Sequence, residues 1–261
     1  MSSHQNDTFI DEIRKGLDTR IIGRKIIHFK EINSTNKFLK NLDKNKNDEG
    51  LVVVSDIQLS GRGRKDRKWS SPKGGLWFSI LLYPNIPPNN GFIVTMASSI
   101  AIVKAIKDLT GLNSEIKWPN DILLKNKKVC GILTEIETSE NNNNYFVVGI
   151  GINVNNVIKK NIQKTALSLK KIFGDQISRA ELLRLILINL DLFYDNLNKG
   201  DHGNIRKLWL SNSKIINKKI KVQDGKNEII GIVNDINENG NLILNTKQGI
   251  VKIFSGDTIY I

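Results

Sequence analysis

The chain has 261 residues, and its 39 lysine and arginine side chains exceed its 26 acidic ones, giving a formal net charge of +13 at pH 7. A hydrophobic content of 39% suits one large packed domain, or a large domain with a small one. No segment has the roughly 20 apolar residues that span a bilayer, and the polar N-terminal residues do not resemble a signal peptide. We therefore expect a cytoplasmic protein that does not interact with a membrane.

Cysteine content and charge distribution narrow the possible functions further. The single cysteine, Cys130, excludes an intramolecular disulfide and a multi-cysteine metal site. The lysines are spread evenly along the chain, so the net charge is only a weak indication of a nucleic-acid partner. It is a somewhat better indication of electrostatic attraction to an acidic protein partner.

The first 50 residues are predicted to contain a helix, a strand and a second helix. Apolar residues at helical spacing predict a helix that ends before Gly23, and residues 26–29 are predicted to form a strand. A short helix then begins at Asn33 or Ser34, both good N-cap residues. The hydroxyl and amide groups of Ser34, Thr35 and Asn36 can cap this helix, or they can hold a small polar head group at its N-terminus.

A segment rich in glycine and arginine lies between two predicted strands, residues 51–58 and 76–82, and we call residues 59–75 the arginine loop. Glycines allow the backbone to approach a ligand closely, and arginines bind phosphate and carboxylate oxygens. A disordered basic segment is the alternative, but Trp69, Trp77 and Phe78 favour an ordered loop because disordered segments contain few aromatic residues. The arginine loop is therefore predicted to bind an anion.

The middle of the chain combines a central helix with a polar turn. Residues 92–109 have helical periodicity, and two short strands at residues 116–118 and 122–124 flank the segment Pro119-Asn120-Asp121. The proline fixes a backbone angle and interrupts regular structure. The Asn-Asp pair is typical of a turn, but an amide and a carboxylate at a strand end can also hold a metal ion or a ribose phosphate.

Two longer strands contain glycines at positions that suggest close contacts. Gly131 lies inside the strand at residues 129–136, where another group is expected to approach the backbone. In the strand at residues 145–155, Gly149 and Gly151 alternate with aliphatic residues, which predicts an open face for a flat ligand. No glycine-rich turn opens a helix here, so a dinucleotide-binding fingerprint is excluded.

The remaining sequence predicts helices followed by a small all-β unit. A short helix is predicted at residues 166–172, a long one capped by Ser178 at 179–198, and another at 201–210. From residue 214 the pattern is typical of a small β-barrel packed on the main domain. Its predicted strands are residues 219–222, 229–236, 242–244 and 249–253. Turns are predicted at residues 141–144, 224–225 and 239–240.

Four motifs, in this order, resemble the signatures of the biotin–protein ligase family. They are Gln58-Leu59-Ser60-Gly61-Arg62-Gly63-Arg64 with Trp69, Ser71-Pro72 and Gly74; Lys117-Trp118-Pro119-Asn120-Asp121; Lys128-Val129-Cys130-Gly131-Ile132-Leu133; and residues 149–153. The resemblance covers residues 26–261 and implies an α+β fold. A mixed central sheet with flanking helices, similar to class II aminoacyl-tRNA synthetases, would occupy residues 1–211, and an SH3-like β-barrel residues 212–261.

The resemblance also implies a two-step reaction and a role for each site residue. Biotin and ATP would form biotinyl-5′-adenylate, and a lysine of a biotin carboxyl carrier protein domain would then take the biotinyl group. Arg62, Arg64 and Lys128 would be catalytic because they offset the repulsion between a carboxylate and a phosphate, and Asp121 would hold Mg²⁺. The biotin-binding residues would be Ser34, Thr35, Asn36, Gln58, Gly61, Arg62, Gly63, Arg64, Lys128 and Gly131. The ATP- and adenylate-binding residues would be Arg64, Arg67, Trp69, Asn120 and Asn153.

By the same resemblance, residues 62–68 of the arginine loop would become ordered when the adenylate forms and would shield it from water. Some family members carry an N-terminal helix-turn-helix domain, but only about 25 residues precede the matching region, so no DNA partner is expected. The family often has an aromatic residue near the adenine, and residues 156–168 offer none.

Three other functions stay open at this stage. A lipoate or octanoyl transferase shares the implied fold, a nucleic-acid-binding module would explain the charge, and a non-enzymatic biotin sensor would bind without transfer. Acetyl-CoA carboxylase is the usual source of the carrier domain in the family. A monomer and a sheet-edge homodimer are both compatible with the sequence.

Overall fold

Within the residues that the structure describes, twelve strands form two separate sheets. The structure is a computed structural model and describes residues 7–43, 46–138, 144–224, 227–254 and 256–261. The strands are β1 (Ile26–Ile32), β2 (Val52–Gln58), β3 (Leu76–Leu82), β4 (Glu115–Lys117), β5 (Asp121–Leu124), β6 (Lys127–Thr138), β7 (Asn144–Ile152), β8 (Lys219–Asp224), β9 (Asn227–Ile236), β10 (Leu242–Thr246), β11 (Gly249–Ile253) and β12 (Asp257–Tyr260). The helices are α1 (Thr8–Arg14), α2 (Thr35–Asn41), α3 (Phe92–Thr110), α4 (Leu169–Phe173), α5 (Arg179–Asn198) and α6 (His202–Ser211).

The larger sheet has seven strands in the order β1-β2-β3-β7-β6-β5-β4. Strands β1 and β2 are parallel, and the other neighbouring pairs are antiparallel. The expectation of a mixed central sheet is therefore confirmed. Strand β1 continues to Ile32, beyond the predicted end at residue 29.

Alternation along the strands gives this sheet two different faces. In β3, Phe78 and Ile80 belong to the large apolar core that contains the buried residues of α3 and α5. The intervening residues, Trp77 and Ser79, therefore point to the opposite face. Part of that second face is covered by Leu39 of α2 in a smaller apolar cluster. The rest of it is available for a site.

The helices that cover the first face begin and end where the sequence indicates. Helix α3 ends at Gly111, which has a left-handed φ of 70°. Helix α5 begins after Ser178, whose hydroxyl accepts from the Glu181 N–H at 3.2 Å. No helix in the described ranges combines the length and the apolar character needed to cross a bilayer.

The C-terminal part is a five-stranded antiparallel sheet in the order β11-β10-β9-β8-β12. Trp118 fixes this sheet to the larger domain: its Nε1–H donates to the Gly240 carbonyl at 2.9 Å, and its carbonyl accepts from the Thr258 hydroxyl at 3.0 Å. The Trp118–Pro119 peptide bond is cis. The boundary predicted between residues 211 and 212 falls at the end of α6 and stays a prediction.

Two elements differ from the prediction, and the predicted turns fall only partly within the described residues. The helix predicted at residues 166–172 begins only at Leu169, because Ala166 forms a parallel bridge with Lys128 and continues the sheet. Strand β12 was not predicted, since its four residues are too few to establish an alternating pattern. The predicted turn at residues 239–240 is present, whereas residues 141–143 and Gly225 of the other two turns lie outside the described residues.

A buried carboxylate holds the segment that follows α1. Asp191 of α5 accepts from the backbone N–H groups of Arg20, Ile21 and Ile22, at 2.8, 3.0 and 2.8 Å. Replacing Asp191 by alanine is expected to lower the free energy of unfolding by about 3 kcal/mol, because three N–H groups lose their acceptor. Urea denaturation measures this change. The matched control is Leu192→Ala at an exposed position of the same helix, and equal effects of the two substitutions would contradict the prediction.

Candidate active site

A row of five residues crosses the second face of the larger sheet at one level. The register pairs Ser55 with Trp77, Trp77 with Gly151, Gly151 with Gly131, and Gly131 with Asp121. Two glycines side by side on adjacent strands leave a depression in the sheet surface, bounded by an indole at one end and a carboxylate at the other. With Gly149 beside it, we call this depression the glycine trough (Gly131, Gly149 and Gly151).

The indole of Trp69, from the arginine loop, lies on the glycine trough. A β-carbon added to Gly151 would be 2.5 Å from Trp69 Nε1, and one added to Gly131 would be 3.1 Å from Trp69 Cζ3. The ring packs edge-on against Trp77, with centroids 6.4 Å apart. The close approach expected at Gly131 is therefore found, but the face predicted to be open is covered in this structure. Trp69 was predicted to bind adenylate, and that role stays a prediction.

Lys128 and Asp121 form an ion pair at the edge of the trough. Lys128 Nζ lies 2.5 Å from Asp121 Oδ1 and 5.0 Å from the centroid of the Trp69 ring. Both side chains are partly exposed, at 31% and 24%. The two residues predicted to be catalytic and metal-binding are thus in contact with each other and with the trough. The adjacent thiol of Cys130 is fully buried, which raises its pKa and is consistent with the predicted inert role.

A hydrogen-bonded chain of polar side chains lies beside the trough. Gln58 Oε1 accepts from the Thr35 N–H at 2.9 Å and from its hydroxyl at 3.1 Å, while Gln58 Nε2 donates to Ser71 Oγ at 3.0 Å. The Ser79 hydroxyl lies 2.6 Å from Thr35 Oγ1 and 2.5 Å from Asn36 Oδ1. Buried groups that can both donate and accept are suited to a planar polar ring.

The chain ends in a charged group on β6. Asn36 Nδ2 donates to Glu135 Oε2 at 2.7 Å. The other carboxylate oxygen of Glu135 lies 3.0 Å from Lys40 Nζ and 4.0 Å from the Arg62 guanidinium. The predicted ring-binding residues are therefore connected to the arginine loop through Glu135.

The other two arginines extend toward the C-terminal sheet. Arg64 donates to Asn120 Oδ1 at 3.1 Å and to the Gly256 carbonyl at 3.4 Å. Arg67 forms an ion pair with Asp257 of β12. Burial alone would raise the pKa of Asp257, but the hydrogen bond and charge of Arg67 outweigh burial and lower it. Arg64 therefore lies beside the Asn120-Asp121 turn, whereas Arg67 contacts the smaller sheet.

The remaining predicted residues occupy separate positions around the glycine trough. Ser34 is the N-cap of α2 and accepts from the Lys37 N–H at 3.4 Å, so its capping role is found. A β-carbon on Gly61 would be 2.6 Å from the Trp69 carbonyl, whereas one on Gly63 would be 3.6 Å from its nearest neighbour. Asn153 is buried, accepts from Asn156 Nδ2 at 3.0 Å, and follows the trough strand next to Val129. Its adenylate role stays a prediction.

Sequence reasoning did not identify Ser71, Ser79 and Glu135 as site residues. Ser79 is fully buried within the otherwise apolar strand β3, and a serine in such a strand is a detectable signal of a polar contact. Glu135 lies where apolar and polar residues alternate, so the neighbouring sequence does not mark it as a site residue. Its partners come from α2 and from the arginine loop.

The glycine trough yields a direct steric prediction. A β-carbon at Gly149 would overlap Asn36 Oδ1, so Gly149→Ala is expected to displace the Asn36 side chain. The KM for the ligand that binds beside Asn36 is then expected to rise at least tenfold, an effect on the order of 1.4 kcal/mol. The control is Gly203→Ala in α6, where the added carbon meets nothing within 4 Å. Steady-state kinetics measure both variants, and an unchanged KM in Gly149→Ala would refute the steric argument.

Comparisons with known proteins agree with this arrangement. The model of the Biotin/lipoate A/B protein ligase family matches residues 28–153, and that of the Biotin protein ligase C terminal domain matches residues 215–259. The bifunctional ligase/repressor BirA of Bacillus subtilis is 36% identical over 250 residues, covering 94% of this chain and 77% of that protein. The biotin--[acetyl-CoA-carboxylase] ligase of Paracoccus denitrificans is 28% identical over 207 residues, covering 76% of this chain and 85% of that protein.

A solved structure extends the similarity to the fold. The biotin protein ligase from Aquifex aeolicus in complex with biotin and ATP has a TM-score of 0.77 and 31% identity, covering 91% of this chain and 99% of that one. Fold and cleft together define a protein ligase of the biotin/lipoate class with a biotin-ligase C-terminal domain. More specifically, this chain belongs to the biotin–protein ligase family.

Proposed function

We infer that this chain activates biotin with ATP to form biotinyl-5′-AMP and transfers the biotinyl group to a lysine of a biotin carboxyl carrier protein domain. The observation that carries this inference is that Lys128 borders the glycine trough, with Arg64 bound to Asn120 beside Asp121 and Arg62 near Glu135. The surrounding fold is similar to that of an Aquifex aeolicus ligase described with biotin and ATP. Biotin and ATP are accordingly the two small-molecule substrates.

The polar chain and the trough suit the two ends of biotin. The ureido ring needs donors and acceptors in a fixed arrangement, which Thr35, Gln58 and the neighbouring Ser79 offer. The fused rings and the valeryl chain need a flat apolar surface, which the indole of Trp69, lying on the trough, would supply. Ser34, Gly61, Gly63 and Gly131 would complete this pocket as backbone or capping positions.

In the first step, a biotin carboxylate oxygen attacks the α-phosphorus of ATP, the bond to the bridging oxygen breaks, and pyrophosphate leaves. The reaction brings two anions together, so cationic side chains lower its barrier. Lys128, at the edge of the trough, would neutralise the carboxylate. Arg62 and Arg64 would neutralise the phosphate, while Asn120, Asn153, Trp69 and Arg67 would bind the nucleotide.

Asp121, which pairs with Lys128 in this structure, would be the protein carboxylate for a magnesium ion. The part of the chain that the structure describes contains no group of three or more His, Cys, Asp or Glu side chains that could hold a metal. Mg²⁺ bound to a nucleotide usually needs only one or two protein carboxylates, with phosphates and waters as its other ligands. Asp121 would supply that carboxylate, and the ion would withdraw charge from the phosphates.

In the second step, the neutral amine of a carrier lysine attacks the acyl carbon, and the bond to the phosphate oxygen breaks, releasing AMP. Lys128 would stabilise the charge on the acyl-phosphate oxygen as the bond breaks. The relative from Paracoccus denitrificans is named for acetyl-CoA carboxylase, and we propose the carrier domain of that enzyme as the partner here. A monomer and a sheet-edge homodimer are the two proposed assemblies, which light scattering with and without biotin and ATP distinguishes.

Intact-mass spectrometry of a carrier domain tests this function. Incubation with the chain, biotin and Mg-ATP is expected to add one biotinyl group, and a carrier variant without the target lysine is the control. Octanoate and lipoate in place of biotin test the related transferase activities. A gain of mass with octanoate or lipoate and none with biotin would overturn the proposal, as would binding of biotin without transfer.

A further inference from the structure

Asn36 is held in one orientation by groups on two strands, β6 and β3. Its side chain is buried, with 5% exposure. Nδ2 donates to Glu135 Oε2 at 2.7 Å and to the Leu133 carbonyl at 3.4 Å, and Oδ1 accepts from the Ser79 hydroxyl at 2.5 Å. A carboxylate and a carbonyl can only accept, so the group that faces them must be the amide NH₂. Its polar atoms are thus engaged by the protein itself.

Glu135 is in turn held by cations. Lys40 Nζ lies 3.0 Å from Glu135 Oε1 and 2.5 Å from Glu137 Oε1, and Arg62 lies 4.0 Å from the same Glu135 oxygen. The hydrogen bond to Glu137 raises the pKa of Lys40, burial opposes it, and the hydrogen bond to Glu135 adds to the rise. Lys40 therefore stays protonated at neutral pH, and the Glu135 carboxylate keeps a charged partner on the side away from Asn36.

We propose that Glu135 is a positioning residue of the biotin site, which fixes the orientation of the Asn36 amide and, through it, the Ser79 hydroxyl beside Thr35. This inference rests on the proposed function. Direct hydrogen bonds to the ureido ring then come from Thr35 and Gln58, and Asn36 orders them. The direct ligand contact expected for Asn36 from the sequence is thereby revised.

The physical reason is that an asparagine amide has two orientations related by a 180° rotation. In the observed one, the NH₂ group faces Glu135 and the oxygen accepts from Ser79. In the reversed one, the amide oxygen would face the Glu135 carboxylate and the NH₂ group would face Ser79, so the two oxygens would repel each other. Without Glu135 both orientations are populated, and the apparent affinity for biotin falls with the competent fraction.

A pair of alanine variants tests the proposal. Glu135→Ala is expected to raise the KM for biotin about twofold in ATP–pyrophosphate exchange, because two equally populated amide orientations leave half of the molecules competent, while the KM for ATP is expected to match the wild type. Glu137→Ala is the matched control: Glu137 lies on the same strand and pairs with the same lysine, but its ion pair does not involve Asn36. Its KM for biotin is expected to match the wild type. A Glu135→Ala enzyme with the KM of the Glu137→Ala enzyme would overturn the proposal.

An isosteric exchange tests it without creating a cavity. Asn36→Asp places two carboxylates in contact and is expected to raise the KM for biotin more than Glu135→Ala does. Adding Glu135→Gln to Asn36→Asp restores a donor opposite an acceptor. The glutamine NH₂ can donate to one oxygen of the carboxylate introduced at position 36, and Ser79 can still donate to the other oxygen. Recovery of most of the lost affinity in the double variant is the expected coupling, and strictly additive effects would overturn the proposal.

These outcomes are distinct from a failure of the proposed function. If the wild-type chain shows no biotin-dependent pyrophosphate exchange, the proposed function is wrong. If the wild-type chain is active and the Asn36 and Glu135 substitutions do not couple, only the positioning role is wrong. Equal increases of both KM values, together with a lowered melting temperature, would assign Glu135 a purely structural role and also overturn the proposal.

Discussion

Replacing Lys128 by alanine is expected to lower the rate of biotin-dependent ATP–pyrophosphate exchange about 10³-fold, with little change in melting temperature. Lys128 Nζ lies 2.5 Å from Asp121 Oδ1 at the edge of the glycine trough. Its removal takes away the charge that offsets the meeting of a carboxylate with a phosphate. The loss is therefore expected mainly in kcat, because the interaction strengthens as the bond forms.

The neighbouring lysine provides the control for that result. Lys127 precedes Lys128 on β6 and donates from Nζ to the Gln163 carbonyl at 2.7 Å, in an exposed position. Lys127→Ala removes the same charge from the chain without removing a group from the cleft, so its exchange rate is expected to stay within about twofold of the wild type. Comparable losses in both variants would indicate that the overall charge, and not the position of Lys128, is responsible.

Replacing Arg64 by alanine is expected to increase the dissociation rate of biotinyl-5′-adenylate about 100-fold while the fold stays intact. Among its contacts, Arg64 donates to Asn120 Oδ1 at 3.1 Å and to the Gly256 carbonyl at 3.4 Å, which are neutral acceptors. A phosphate is an anionic acceptor and forms stronger bonds to a guanidinium. Arg64 is therefore expected to hold the arginine loop against the adenylate and keep water from the reactive anhydride.

Rapid dilution of the enzyme-bound adenylate measures this dissociation rate. Lys68→Ala removes one positive charge from the same loop and is expected to change the rate less than about threefold. Arg67→Ala breaks the ion pair with Asp257 and shows how much the contact with the smaller sheet contributes to the dissociation rate. An unchanged dissociation rate in Arg64→Ala would contradict the shielding role.

The sequence allowed the strands to be predicted where the signal is local. Strands β2 and β3 and helix α5 were predicted nearly to the residue, because apolar runs, the N-cap Ser178 and helical periodicity are all contained in short windows. Strand β12 was missed because four residues do not establish a period. The helix predicted at residues 166–172 began too early because Ala166 pairs with Lys128, a contact between distant parts of the chain.

The sequence motifs indicated candidate site residues, whose roles stay predictions, but not the contacts between them. The motifs indicated Gln58, Lys128 and the glycines, since each has a recognisable neighbourhood in the sequence. The position of Trp69 on Gly131 and Gly151 depends on how the arginine loop folds back over the sheet. Such long-range packing leaves no mark in a window of residues, and this is also why the roles of Ser79 and Glu135 emerged only from the structure.

The glycine trough has a consequence for the use of modified vitamins in chemical labelling. Its floor is already made of the smallest residue, so no substitution there can create space for a bulkier analogue. Trp77 is fully buried and donates to the Pro72 carbonyl at 3.0 Å, so shortening it would cost core packing. Trp69 covers the trough from a loop, and its indole N–H has no hydrogen-bond partner within the described residues. Making room for a new label therefore has to begin with Trp69, the side chain that fills the trough.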